Sequence, residues 1–113
     1  MDTQKLKFVS SDVYKKAEMY YFIISVINNF KLTKKDIQLI SYTSIKGNIS
    51  NFNSREEFCK IYKAHPGTIN NIIFKLKKLG IIIKTRDRIH VNPLIILDFK
   101  KSIKIEINTY ETQ

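Results

Sequence analysis

The chain has 113 residues and a mass of 13.3 kDa, which fits one domain and leaves no room for a second core. With 43% apolar and 27% charged residues, 3 Gly, 2 Pro and the single Cys59, it is neither a disordered tail nor a collagen-like chain nor a disulfide scaffold. Twenty Lys and Arg against ten Asp and Glu leave a net charge of +10, which attracts polyanions, nucleic acid foremost.

Residues 1 to 10 read as a short lead-in. Met1-Asp2-Thr3-Gln4 lacks the cationic start and apolar stretch of a signal peptide. The longest nearly apolar run, Met19 to Ile27, is well short of the roughly 20 residues of a membrane span, so no membrane partner is expected and the setting is cytoplasmic. A first helix is predicted over about Asp12 to Phe30 with Ser11 as N-cap, its apolar stripe being Val13, Ala17, Tyr20, Ile24 and Ile27. Tyr21, Phe22, Ile23 and Val26 lie outside that stripe, so the second half is apolar nearly all round. Two covered sides are implied: one by this chain, the other by a partner copy or by the C-terminal segment. The expected oligomer face is Tyr20, Tyr21, Ile23, Ile24 and Ile27.

Thr33 with Asp36 reads as a capping box opening a second helix that runs to about Ser44 or Ile45 and stops at Gly47. Ile49 to Phe52 reads as a short strand. Ser54 with Glu57 reads as a second capping box, starting a short helix from Arg55 to about Lys63. Ala64-His65-Pro66-Gly67 is a tight connection, and a longer helix follows over Thr68 to Leu79, with Ile69, Ile73 and Leu76 on one face and Gly80 at its end. Ile81-Ile82-Ile83 and Ile89-His90-Val91 read as strands around the polar turn Thr85 to Arg88. Leu94 to Phe99 is apolar without a clear period. Ile103, Ile105 and Ile107 alternate with polar residues, the pattern of a half-exposed strand.

From Thr33 onward the order is helix, strand, short helix, tight turn, longer helix and strand-turn-strand. Ser-Arg-Glu-Glu-Phe (54 to 58) and Gly-Thr-Ile-Asn-Asn-Ile-Ile-Phe-Lys-Leu-Lys-Lys-Leu-Gly-Ile-Ile (67 to 82) resemble the positioning helix and the recognition helix of the winged helix-turn-helix superfamily, with its MarR- and ArsR-type regulators. The resemblance covers about residues 33 to 93. More loosely, the whole is similar to small winged-helix proteins carried by tailed bacteriophages of low-G+C hosts. The implied fold is α+β, mainly α: a single domain with an N-terminal helix extension over 1–32, a winged helix-turn-helix core over 33–93, and a C-terminal strand extension over 94–113.

Placement of charge points the same way. Seventeen of the cations are Lys, and Ile and Asn are also plentiful, as in A+T-rich genes, so the total alone says little. Between Lys75 and His90, however, six cations stand against a single acid, on the elements that would face DNA. A helix fits the major groove with its N-terminal residues at base edges, which here are Thr68, Asn70 and Asn71. Asn can pair with adenine, and Phe74 can meet a thymine methyl or form a protein-binding patch. Lys75, Lys78 and Lys77 would meet phosphates, as would Lys84, Arg86 and Arg88 of the wing, and His65 could donate to one.

No enzyme constellation is evident. One Cys and two His without ligand spacing argue against a metal site, Cys59 reads as packing, and the glycines form no phosphate loop, so no cofactor is expected. The expectation is a transcription or replication regulator that binds double-stranded DNA as a homodimer or higher homo-oligomer in a host cytoplasm. The alternative is a structural virion or assembly protein that contacts other virion proteins through the same fold.

Overall fold

The computed structural model describes residues 2–111. Met1, and the Thr112 and Gln113 end of the expected C-terminal extension, lie outside the described residues. Four helices, α1 (Val13–Ile27), α2 (Lys34–Lys46), α3 (Phe52–Tyr62) and α4 (Pro66–Lys78), precede an antiparallel hairpin of β1 (Ile82–Lys84) and β2 (Ile89–Val91), and a 3-10 turn follows at Pro93–Ile95. The fold is therefore α+β and mainly helical.

Local chemistry fixes most of the boundaries. In α2, the Thr33 hydroxyl accepts from the Asp36 amide at 3.2 Å while the Asp36 carboxylate accepts from the Thr33 amide at 2.8 Å, the reciprocal box expected from the sequence. Gly47 ends the helix at φ 89, a left-handed conformation that a side chain would strain. α1 is capped by Asp12 rather than Ser11, the Asp12 carboxylate accepting from the Tyr14 and Lys15 amides. It stops at Ile27, short of Phe30, because Asn29 turns left-handed and the Phe30 amide bonds back to the Ser25 carbonyl.

Three expectations are corrected. α3 begins at Phe52 under an Asn51 cap, and the Asn51 side chain accepts from the Ser54 amide at 2.7 Å, so Ser54 lies inside the helix. Glu57 does not close a box; it accepts from the Tyr42 hydroxyl at 2.7 Å and pairs with Lys46 at 3.3 Å. The expected strand at Ile49 to Phe52 reduces to one ladder bond, from the Ile49 amide to the Ile89 carbonyl. Among the described residues no strand follows β2: residues 103–107 alternate, but no sheet edge pairs with them.

The core gathers Leu39 and Ile40 of α2, Ile49, Phe58 of α3, Ile69, Ile73 and Leu76 of α4, and Ile82 and Val91 of the hairpin, all fully or nearly fully buried. Tyr42 meets Phe58 edge-on at 5.7 Å, and Tyr14 of α1 stacks on Tyr42 at 6.3 Å. The hairpin pairs Ile82 with Val91, Ile83 with His90 and Lys84 with Ile89.

The second side of α1 is covered from within the chain. Phe99 is buried against Tyr20 and Tyr21, the Tyr21 hydroxyl donates to the Ile95 carbonyl at 2.8 Å, and Lys16 Nζ donates to the Lys101 carbonyl at 2.6 Å. The cover takes in part of the expected oligomer face. Tyr21 is sealed inside the protomer, Tyr20, Ile23 and Ile24 are half-buried, and of the five only Ile27 is exposed. The open apolar surface of α1 is instead Phe22, Val26 and Ile27. No helix among the described residues is long and apolar enough to cross a membrane.

Candidate nucleic-acid interface

α3 and α4 meet across a tight turn that the sequence determines in detail. Lys63 takes the left-handed conformation that ends α3 at φ 53. His65 then caps α4: its Nδ1 accepts from the Gly67 amide at 3.0 Å, and its carbonyl accepts from the Thr68 hydroxyl at 2.7 Å. Pro66 occupies the first helical position, where its missing N–H costs nothing. His65 and Thr68 thus hold the helix end together, and both remain exposed.

Ile69, Ile72, Ile73 and Leu76 bury one side of α4, leaving Asn70, Asn71, Phe74, Lys77 and Lys78 on the open side. Asn70 is not free: its Oδ1 accepts from Arg55 Nη1 at 2.8 Å, and Arg55 Nε also donates to the Ile49 carbonyl at 3.0 Å. Arg55 therefore ties the start of α3, the preceding segment and the first half of α4 together. No local sequence signal marks that role, since the side-chain partner Asn70 lies on another helix. Lys78 Nζ lies 4.4 Å over the ring of Phe74, which keeps 62% exposure.

The hairpin turn is pinned to the same end of the molecule. Arg88 Nη2 donates to the Gly47 carbonyl at 2.7 Å, the Ser50 hydroxyl donates to the Asp87 carbonyl at 3.3 Å, and the Thr85 amide donates to the Arg88 carbonyl at 2.9 Å. Residues 47–50 thus touch both the cationic turn and, through Arg55, the first half of α4. Lys84 and Arg86 project from the hairpin exposed. Arg88 is exposed too, and one of its guanidinium nitrogens donates to the open carbonyl at the end of α2.

Lys75 is the chief correction. Expected to face phosphate, its ammonium instead lies 2.7 Å from Asp36 Oδ2, whose side chain is only 4% exposed. The same carboxylate oxygen caps α2 through Thr33, so Lys75 neutralises a buried acid and clamps α4 to α2. A cation engaged in this way is a poor phosphate ligand, because leaving would strand a buried charge.

Glu57 of α3 is held below the usual carboxylate range by the Tyr42 hydroxyl and then by Lys46. Its charge is thereby matched by Lys46, whose own value it raises. Cys59 is half-buried on α3, and no cluster of three or more His, Cys, Asp or Glu side chains forms among the described residues. Phe52, at the first position of α3, is 76% exposed and has no place in the sequence-based list of site residues. No family model, curated protein or solved structure matches the chain.

Proposed function

We propose that this protein binds double-stranded DNA as a winged helix-turn-helix, with α3 as positioning helix, α4 as recognition helix and the β1–β2 hairpin as wing. The element order supports the assignment, as does the single bond by which residue 49 extends the outer edge of β2 in the manner of a short first strand. The observation that carries the reading is the shared end of the molecule: the open face of α4 and the cationic turn are both bonded to residues 47–50 and their Arg55 neighbour. Asn71 is free to read a base edge, Asn70 can do so while oriented by Arg55, and Lys77, Lys78, Lys84 and Arg86 supply phosphate contacts. Such a protein acts by occupying a promoter or origin, or by recruiting others there, without chemistry of its own.

Fluorescence anisotropy with a random duplex tests this. Non-specific binding is expected at about 10⁻⁴ to 10⁻⁶ M at physiological salt, weakening steeply as salt rises. Replacing Lys77 and Lys78 together with Ala should lower the salt slope by about 1.8, and replacing Lys84 and Arg86 by a similar amount. Binding that ignores salt, or slopes unchanged in both variants, refutes the proposal.

A second reading, an assembly protein, is favoured by one feature. Phe22, Val26 and Ile27 form an open apolar strip on α1, beside a groove of about 450 Å³ lined by Met19, Phe22, Leu32 and Ile37 and also by Lys15, Glu18 and Lys34. In this reading the strip meets other subunits, whether copies of this chain or other virion proteins. Native mass measurement separates the two: a discrete dimer suits the regulator, a ring or larger array the assembly protein.

A further inference from the structure

Two phenylalanines lie open on the proposed DNA-binding end, and duplex recognition accounts for only one of them. Phe52 and Arg55 are three residues apart on α3, and Asn70 and Phe74 four apart on α4, so each pair shares a helix face. The Arg55–Asn70 hydrogen bond joins the two helices at that level. Phe52 and Phe74 therefore each lie about one helical turn, roughly 4.5 and 6 Å along the axis, from a common bridge. The surface runs aromatic, guanidinium, amide, aromatic, ammonium: Phe52, Arg55, Asn70, Phe74, Lys78. Phe52 and Phe74 are 76% and 62% exposed, and the Lys78 ammonium lies over one face of the Phe74 ring.

A B-form duplex hides the π faces of its bases. A phenyl ring in the major groove can reach a thymine methyl, which would suit Phe74. The positioning helix crosses the phosphate backbone, where the phenyl ring of Phe52 gains nothing. Exposed aromatic rings alternating with cations are what unpaired bases need: a ring to stack on and a charge for each phosphate. Resting on the DNA-binding reading above, we infer that this face takes single-stranded DNA, stacking unpaired bases on Phe52 and Phe74 while Arg55, Lys77 and Lys78 hold the strand. The protein then acts where a duplex is opened.

The test compares labelled oligo(dT), a mixed-sequence duplex of equal length, and that duplex with a central unpaired bubble, using the full chain. Oligo(dT) and the bubble should bind at least as tightly as the closed duplex. Phe52→Ala and Phe74→Ala should each weaken oligo(dT) binding by about fivefold to a hundredfold, and Phe52→Ala should change closed-duplex binding by less than about twofold. Both side chains are on the surface, and unchanged thermal melting of the variants confirms that the fold is intact. Phe74→Tyr should restore binding and Phe74→Leu should not, since stacking needs a ring whereas contact with a methyl group needs only apolar bulk. Tight closed-duplex binding with weak or ring-independent oligo(dT) binding overturns the inference and leaves the duplex reading standing. Failure to bind any of the three probes overturns both. Tighter binding to oligo(U) than to oligo(dT), or loss of self-association in Phe74→Ala, overturns the choice of single-stranded DNA as occupant.

Discussion

Replacing Lys75 with Met asks whether the cation most suggestive of phosphate contact in the sequence instead works inside the protein. The substitution keeps most of the side chain's length and removes the ammonium that sits 2.7 Å from Asp36. Breaking a fully buried ion pair from one side costs about 3–5 kcal/mol. Here the Asp36 side chain is 4% exposed but that of Lys75 is 40% exposed, so water can partly replace the lost partner. Asp36 also keeps its bond from the Thr33 amide. The expected loss is therefore about 1–3 kcal/mol, in the range of a hydrogen bond to a charged group. For a chain of this size that lowers the melting midpoint by about 3–6 °C per kcal/mol. Asp36→Asn should cost about 1–2 kcal/mol, since it weakens the capping box as well as the pair. The double variant should be less destabilised than the two losses added, with a coupling of about 1–2 kcal/mol read from urea unfolding. DNA binding by the folded Lys75→Met protein should keep its salt slope. The reasoning fails if the singles add without coupling, or if the slope falls by about 0.9 while stability holds, the mark of a lost phosphate contact.

Two further outcomes follow from the packing of the tyrosines. Tyr21→Phe leaves the Ile95 carbonyl without its donor and should cost about 1 kcal/mol, with faster proteolysis of the segment after Val91; equal protease resistance in variant and wild type would contradict the role given to this bond. Burial raises the phenol values of Tyr20, Tyr21, Tyr42 and Tyr62, that of Tyr62 to about 12, while the unfolded chain ionises near the ordinary value of 10. Stability is thus whole below about pH 10 and is lost as pH climbs from there toward the folded values, since the unfolded state releases its protons first. Circular-dichroism melts between about pH 9 and pH 11.5 should show the loss beginning near 10 together with tyrosinate absorbance, and a flat profile would refute it.

Much of the helical frame could be read from the sequence because its signals are local. Thr33 and Asp36 find each other within one turn, Gly47 and Gly80 take positive φ where each helix gives out, and Ile69, Ile73 and Leu76 share a face because the helical period puts them there. What escaped depended on distant partners. Ser54 and Glu57 have the right spacing for a cap, but Asn51 offers an equally good one a turn earlier, and Tyr42 claims Glu57 from another helix. The alternation at residues 103–107 is a property of the strand alone, and a strand also needs an edge to join. The candidate site divides in the same way. Exposure of Asn71, Lys77, Lys78, Lys84 and Arg86 follows from the buried face of α4 and the polarity of the turn. The engagement of Lys75, Arg88 and Asn70 does not, because Asp36, Gly47 and Arg55 are brought to them only by the fold.

The cover that residues 95–101 lay over α1 has a consequence for synthesis. A ribosome releases α1 before residues 95–101, so Tyr21 cannot find its acceptor nor Tyr20 its neighbour Phe99 until those residues have been made. The segment from α2 to the hairpin holds most of the apolar centre and can close beforehand. α1 is thus fully seated only after the hairpin has been made, and a message truncated after Val91 would yield a protein whose α1 has lost its lid.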